Sequence, residues 1–169
     1  MSFEEAVAVS RKWRMEYRRS QKDTPQRREE TKATGELARL AEVAASSAPD
    51  PVWIAMITAK EVLDADVVFV SKFIEDRMVF YVLEGDAQSF GWREGQELPL
   101  DNTFCKRMIA GQVPNVVHDA KNDERVNDLD LTWDADIGSY VGRPLRFSDG
   151  QIYGTLCCLS HSPNPSLRG

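Results

Sequence analysis

Tyr140-Val-Gly-Arg-Pro-Leu145 and Ser148-Asp-Gly-Gln-Ile-Tyr-Gly-Thr-Leu-Cys-Cys-Leu159 decide the fold. Both runs are rich in β-branched and aromatic residues, and Asp149-Gly150 between them tolerates the positive φ of a hairpin turn. Gly142 and Gly154 fall inside the two strands, where glycine marks a bulge or a close approach by a ligand or another backbone. Cys157 and Cys158 are adjacent on one strand and so face opposite sides of the sheet.

Working back along the chain, the texture stays that of strands as far as residue 66. Asp66 to Ile74 is nearly continuous apolar sequence, Glu75-Asp76-Arg77 reads as a turn, and Met78 to Leu83 as the returning strand. Gly85 to Gly95 is a loop carrying Phe90 and Trp92. A short helix is expected over Thr103 to Ala110, capped by Asp101 or Asn102 and ended by Gly111. Val113 to Val117 reads as a third strand, and Asp119 to Ala135 as an acidic segment with one or two helical turns. Hairpins without crossover helices call for an antiparallel sheet with helices on one face, an α+β class, and not a doubly wound parallel sheet.

Ala48-Pro-Asp-Pro51 is a boundary. Asp50 suits an N-cap and Pro51 a first helical position, opening a helix to about Leu63 with Val52, Ile54, Ile57, Val62 and Leu63 as core contacts. Before it, residues 1–47 read as a helical extension of two helices broken near residues 23–25. Phe3, Val7, Trp13 and Tyr17 lie loosely on one face of the first, and Leu37, Leu40, Ala41 and Ala44 form a narrow stripe on the second. Such narrow stripes bury little alone, so these helices are expected to pack on the sheet or to pair across a homodimer.

The chain has 169 residues, is 42% hydrophobic and carries a net charge of −6. Residues 1–32 hold nine Lys or Arg against six Asp or Glu, and the remainder 12 against 21. The acidic body argues against nucleic acid as a partner. No apolar run approaches the roughly 18 residues of a membrane span, and Met1-Ser-Phe-Glu-Glu5 lacks a signal peptide's pattern, so a cytoplasmic protein is expected. Three cysteines and two histidines give no zinc spacing, and buried reduced thiols are the expectation. The acidic residues Asp119, Asp123, Glu124, Asp128, Asp130, Asp134 and Asp136 lack the spacing and central glycine of a calcium loop.

Six stretches in order carry a family resemblance. They are Ala65-Asp-Val-Val-Phe-Val70, Leu98-Pro-Leu-Asp-Asn-Thr-Phe-Cys105, Pro114-Asn-Val-Val-His-Asp119, Asn122-Asp-Glu-Arg-Val126, Ile137-Gly-Ser-Tyr-Val-Gly-Arg-Pro-Leu145 and Asp149-Gly150 with Gly154-Thr-Leu-Cys157. The chain resembles GAF domains of bacterial signalling proteins, and its terminal Gly-Thr-Leu-Cys-Cys-Leu is most similar to those placed ahead of EAL or GGDEF modules, which degrade or make cyclic di-GMP. The resemblance implies a GAF/PAS-like central sheet over residues 48–165 and a sensory role. It also implies that residues 166–169 stop short of a signalling helix that would lead to an output domain.

A GAF resemblance places a ligand pocket between sheet and helices. Onto it map Phe104, Cys105, His118, Asp119, Trp133, Asp134, Tyr140, Thr155 and Cys157, an apolar set with a few polar groups. The competing reading is ordinary core for Phe104, Trp133 and Tyr140, a helix cap for Asp119 and an exposed loop residue for His118. The Asn-Lys, Phe and Asp-Glu pattern of cyclic-nucleotide-binding GAF domains is missing around Asn122, and Cys105 precedes Lys106 rather than the histidine usual at a bilin attachment site. No covalent bilin and no metal are expected. The expected function is a non-enzymatic sensor that binds an unidentified small ligand or dimerises to control its output domain. A structural module with a closed core is the alternative. A third reading, similar to free methionine sulfoxide reductases, uses Cys105 as nucleophile but lacks a resolving cysteine in the acidic loop.

Overall fold

In a computed structural model the described residues are 15–16 and 51–167. The expected N-terminal extension of residues 1–47, apart from Met15 and Glu16, and the expected N-cap Asp50 of the helix that follows it lie outside the described residues. The chain divides into two compact units, Met1–Ala55 and Met56–Gly169, and the second holds the sheet.

Among the described residues, helix α1 (Pro51–Val62) precedes strands β1 (Val67–Ile74) and β2 (Arg77–Gly85). A short strand β3 (Glu97–Pro99), a 3-10 turn (Leu100–Asn102) and helix α2 (Phe104–Ile109) follow. Strand β4 (Val116–Val117), helix α3 (Asp130–Asp134) and the hairpin β5 (Ser139–Arg146) and β6 (Ile152–Ser160) complete the order. The six strands form one antiparallel sheet in the order β3-β2-β1-β6-β5-β4. The terminal hairpin thus inserts β6 beside β1 at the centre of the sheet.

Period-two alternation sorts the strands into two faces. Val67, Phe69, Met78, Phe80, Tyr140, Cys157 and Leu159 face the main core, where Phe104, Met108, Val126, Leu129 and Ile137 pack over them. Val68, Val70, Val82 and Cys158 are buried on the other face. The register with β1 steps from Val82 to Phe80 after Val70, so Tyr81 is the extra residue of a bulge, which keeps Phe80 and Leu83 both on the core side. The loop after β2 folds back through Gly95 N–H to Phe80 O at 2.7 Å and Phe80 N–H to Gln96 O at 3.0 Å. It thereby lays Trp92 against Phe80, with ring centroids 4.8 Å apart.

The hairpin turn is a three-residue loop, Ser148–Gly150, in which Gly150 has a φ of +87° and its N–H reaches Phe147 O. That left-handed residue ends the loop, and further along β6 Tyr153 is the extra residue of a separate bulge, where the register shifts between Leu145 and Arg146. Gly154 answers to close approach. A Cβ there would lie 1.8 Å from the Ser71 carbonyl oxygen of β1.

Four expectations from the sequence need correction. Helix α1 buries Met56 and leaves Ile54 and Val62 exposed. At about 100° per residue, Ile54 stands roughly 160° round from Met56 and only Val52 and Leu63 share its side. The cap of α2 is Thr103, whose hydroxyl accepts from Lys106 N–H at 3.2 Å, and not Asp101 or Asn102, which are taken up in the 3-10 turn. The third strand shrinks to Val116–Val117, which pair with Val141 and Tyr140, and Asn115 before them adds one bond, its carbonyl accepting from Gly142 N–H at 2.8 Å. Strand β3 was not expected. Its three residues include a proline, and pairing with Arg77–Val79 alone makes them a strand.

Candidate functional site

Five side chains meet between the centre of the sheet and α2. Ser71 on β1, Thr155 and Cys157 on β6, Tyr140 on β5 and Cys105 in the first turn of α2 are each at most 2% exposed. Thr155 sits opposite Ser71 across the β1–β6 pair, and Cys157 opposite Gly142 across β6–β5. Because Gly142 has no side chain, the Tyr140 phenol lies over it and reaches the cysteines.

The polar atoms satisfy one another. The Ser71 and Thr155 hydroxyls are 2.7 Å apart, and the Thr155 hydroxyl donates to Cys105 Sγ at 3.2 Å. With Thr155 spending its proton on the sulfur, Ser71 is the donor to Thr155. The Tyr140 hydroxyl is 4.0 Å from Cys105 Sγ and 3.6 Å from Cys157 Sγ. The two sulfurs are 3.5 Å apart. Hydrogen bonding from Cys157, with further help from Thr155 and Tyr140, holds the Cys105 thiol below its ordinary value against the opposing effect of burial. Burial, reinforced by Cys105, pushes the Cys157 thiol well up, and burial likewise raises the Tyr140 phenol. Cys158, on the other face, is pushed by burial up to about 12.

Of the nine residues singled out from the sequence, the structure gathers Phe104, Cys105, Tyr140, Thr155 and Cys157. The Phe104 and Tyr140 rings pack beside the cluster with centroids 5.1 Å apart and planes tilted by 36°. The other four lie elsewhere. His118 is exposed, with Nδ1 3.4 Å from the Asn164 carbonyl oxygen. Asp119 accepts from Asn122 Nδ2 at 2.8 Å through one oxygen, and its other oxygen is buried without a partner among the described residues. Trp133 is 57% exposed and donates to Asn127 O, and Asp134 beside it is exposed.

Sequence reasoning missed Ser71 and the structural weight of His161. Ser71 was legible, because alternation from Val67 and Phe69 puts its hydroxyl on the core face. His161 stacks on Phe90 at 3.9 Å, meets the Ser89 hydroxyl at 2.8 Å and bonds through Nδ1 to the Asp136 carbonyl oxygen at 2.8 Å. It fastens the loop after β2 to the segment after α3, a role that depends on residues far apart in sequence.

The acidic segment is tied down by cations. Arg107 grips Asp128 through two nitrogens at 2.5 and 2.8 Å, Arg125 grips Asp123 at 2.8 and 2.7 Å, and Lys121 pairs with Asp136. Among the described residues, no three His, Cys, Asp or Glu side chains converge as a metal site. An open groove of about 640 Å³ lies on the opposite face, lined by Val62, Asp66, Val141, Arg143, Ser160 and Asn164 among others, and none of the nine residues borders it.

The family profile of the GAF domain matches residues 54–168. The chain belongs to the GAF domain family. The sheet and the helices packed on it are this GAF domain's version of that fold. It is similar in fold to the chromophore-binding domain of an unusual bacteriophytochrome from R. palustris, at 13% identity and a TM-score of 0.49 over 66% of this chain and 46% of that one. Others are the GAF domain of an Acinetobacter phosphoenolpyruvate-protein phosphotransferase (19% identity, TM-score 0.47, 66% and 64% covered) and a free methionine-R-sulfoxide reductase from Neisseria meningitidis (18%, 0.47, 66% and 61%). The chain therefore spans about half of the first of these and under two thirds of the other two. No curated protein matches it. Among the described residues no helix is long and apolar enough to cross a membrane.

Proposed function

We propose that this GAF domain is the sensory part of a bacterial signal-transduction protein, without catalytic activity of its own. It takes a small ligand between the sheet and the α2–α3 layer and passes the change to an attached output domain, of the kind that makes or degrades cyclic di-GMP. The observation that carries the reading is the group of hydroxyls and thiols of Ser71, Thr155, Tyr140, Cys105 and Cys157, gathered inside an otherwise apolar core. Ligand sites combine apolar walls with a few placed polar groups, and this is where such groups concentrate in the domain. Pairing of two copies through the N-terminal helices, in the cytoplasm, is part of the same proposal.

The mutual satisfaction of those groups favours a second reading, a structural GAF module whose interior is filled by its own side chains. Native mass spectrometry of the protein purified from its host separates the two. A non-covalent small-molecule adduct that is lost in T155V supports sensing. A bare chain mass, with no thermal shift from cyclic di-GMP, cyclic AMP, biliverdin or free methionine sulfoxide, supports the structural module. NADPH-coupled turnover of free methionine sulfoxide with a thioredoxin system would overturn the non-enzymatic part.

A further inference from the structure

The pairing of Cys105 with Cys157 is not explained by packing alone. A buried structural cysteine sits among apolar groups and is inert. Cys105 instead receives a hydroxyl from Thr155, itself supported by Ser71, and lies in contact with a second thiol. This arrangement stabilises negative charge on one sulfur and keeps the other protonated beside it. Thiolate character suits Cys105 as the attacking sulfur, and Cys157 stands within reach to resolve it, slowly, because burial holds back the thiolate that must attack. A disulfide needs a sulfur–sulfur distance of about 2.05 Å. The two sulfurs are 3.5 Å apart, so bond formation requires them to approach by about 1.5 Å. Cys158 supplies an internal contrast. It is the neighbour of Cys157 in sequence, yet it faces the other side of the sheet beside Val68 and Val141.

We propose that Cys105 and Cys157 form a reversible dithiol–disulfide site, closed by hydrogen peroxide and reopened by a small thiol. The Cys105 sulfur attacks one oxygen of peroxide, the O–O bond breaks, and the thiol proton leaves with the departing hydroxide as water. Cys105 is then a sulfenic acid. The Cys157 sulfur attacks Cys105 Sγ, the S–O bond breaks, and the Cys157 proton joins the leaving hydroxide as a second water. Two S–H bonds are lost, one S–S bond is made, and peroxide is reduced to two waters. Both sulfurs are buried, so peroxide enters through local opening of α2 and the reaction is slow. The bond ties α2 to β6 beneath the proposed ligand site, which gives the domain an oxidant input alongside any ligand.

Peptide mapping of the folded wild-type protein tests this. The protein is treated with millimolar peroxide, unfolded, blocked with N-ethylmaleimide and digested. The expected result is a linked pair of peptides holding Cys105 and Cys157, an intact mass lower by about 2 Da for the two hydrogens lost, and reversal by dithiothreitol. C158S retains the link, whereas C105S and C157S lose it. Full alkylation of both cysteines after peroxide, over-oxidation of Cys105 without a link, or a link through Cys158 would each overturn the proposal. The wild-type map decides the matter even where a variant fails to fold.

Discussion

The Tyr140 hydroxyl occupies the space that a side chain at residue 142 would need: a Cβ on Gly142 would lie 2.0 Å from it. One strand thus carries both the tyrosine and the gap that receives it, and the phenol reaches Cys105 and Cys157 only because of that gap. Tyr140 is 1% exposed and packed against Phe104, so it has nowhere to retreat. G142A should cost about 1–3 kcal/mol, the range of core overpacking. Urea denaturation measures it, and a loss below about 0.5 kcal/mol, the size of an ordinary surface substitution, would count against this account of the glycine.

Gly154 is under a harsher constraint. Its added Cβ would meet backbone, 1.8 Å from Ser71 O and 3.0 Å from Lys72 Cα, and neither atom can move without parting β1 from β6. G154A should therefore be worse than G142A, with little folded protein recovered on expression. A G154A protein with wild-type melting temperature would show that the two strands lie further apart.

T155V keeps the shape of the side chain but removes the donor to Cys105 and leaves the Ser71 hydroxyl facing a methyl group. Leaving a buried hydroxyl unsatisfied costs about 1–3 kcal/mol. Adding S71A should recover part of that loss, since the two groups form one network. The Thr155 hydrogen bond helps to lower the Cys105 thiol, so T155V should move iodoacetamide modification of Cys105 to higher pH. An unchanged pH profile would mean that Thr155 does not donate to the sulfur.

Asp123, Asp128 and Asp136 are held below the ordinary carboxylate range by hydrogen bonds from Arg125, Arg107 and Lys121 respectively. A depressed folded-state value stabilises the protein above the unfolded-chain value, about pH 4 for Asp, and that stability is lost as pH falls through the folded value. The melting temperature should fall between pH 5 and pH 2. D128N should narrow this gap while lowering the melting temperature at pH 6 only slightly, because the pair is largely exposed and screened. Calorimetry across that range checks the sign.

Much of the sheet was legible in residues. Val67–Ile74 and Ile152–Ser160 announce themselves as strands through β-branched and aromatic runs, and Gly150 marks the turn between β5 and β6. Glu97–Pro99 did not, because its strand character consists of hydrogen bonds to β2 rather than of its own composition. The cap of α2 was misplaced by one or two positions for a related reason. Asp101, Asn102 and Thr103 are all competent caps, and the choice fell to Thr103 once Leu100–Asn102 tightened into a 3-10 turn.

The candidate site divides along the same line. That Tyr140, Thr155 and Cys157 share a face follows from alternation within a hairpin, a local property that the sequence determines by itself together with the family. That Cys105 meets Cys157, 52 positions away, and that Ser71 stands behind Thr155 were decided only by the tertiary structure. Both contacts exist because β6 is inserted between β5 and β1, with α2 laid across them. Trp133 shows the converse. Its composition suits a core, yet the five-residue helix α3 turns Thr132 inward to Val126 O and leaves the indole outside. Periodicity orients a side chain relative to its own strand or helix. Which element lies opposite is set by how the hydrophobic faces pack together, and no single stretch of the chain contains that information.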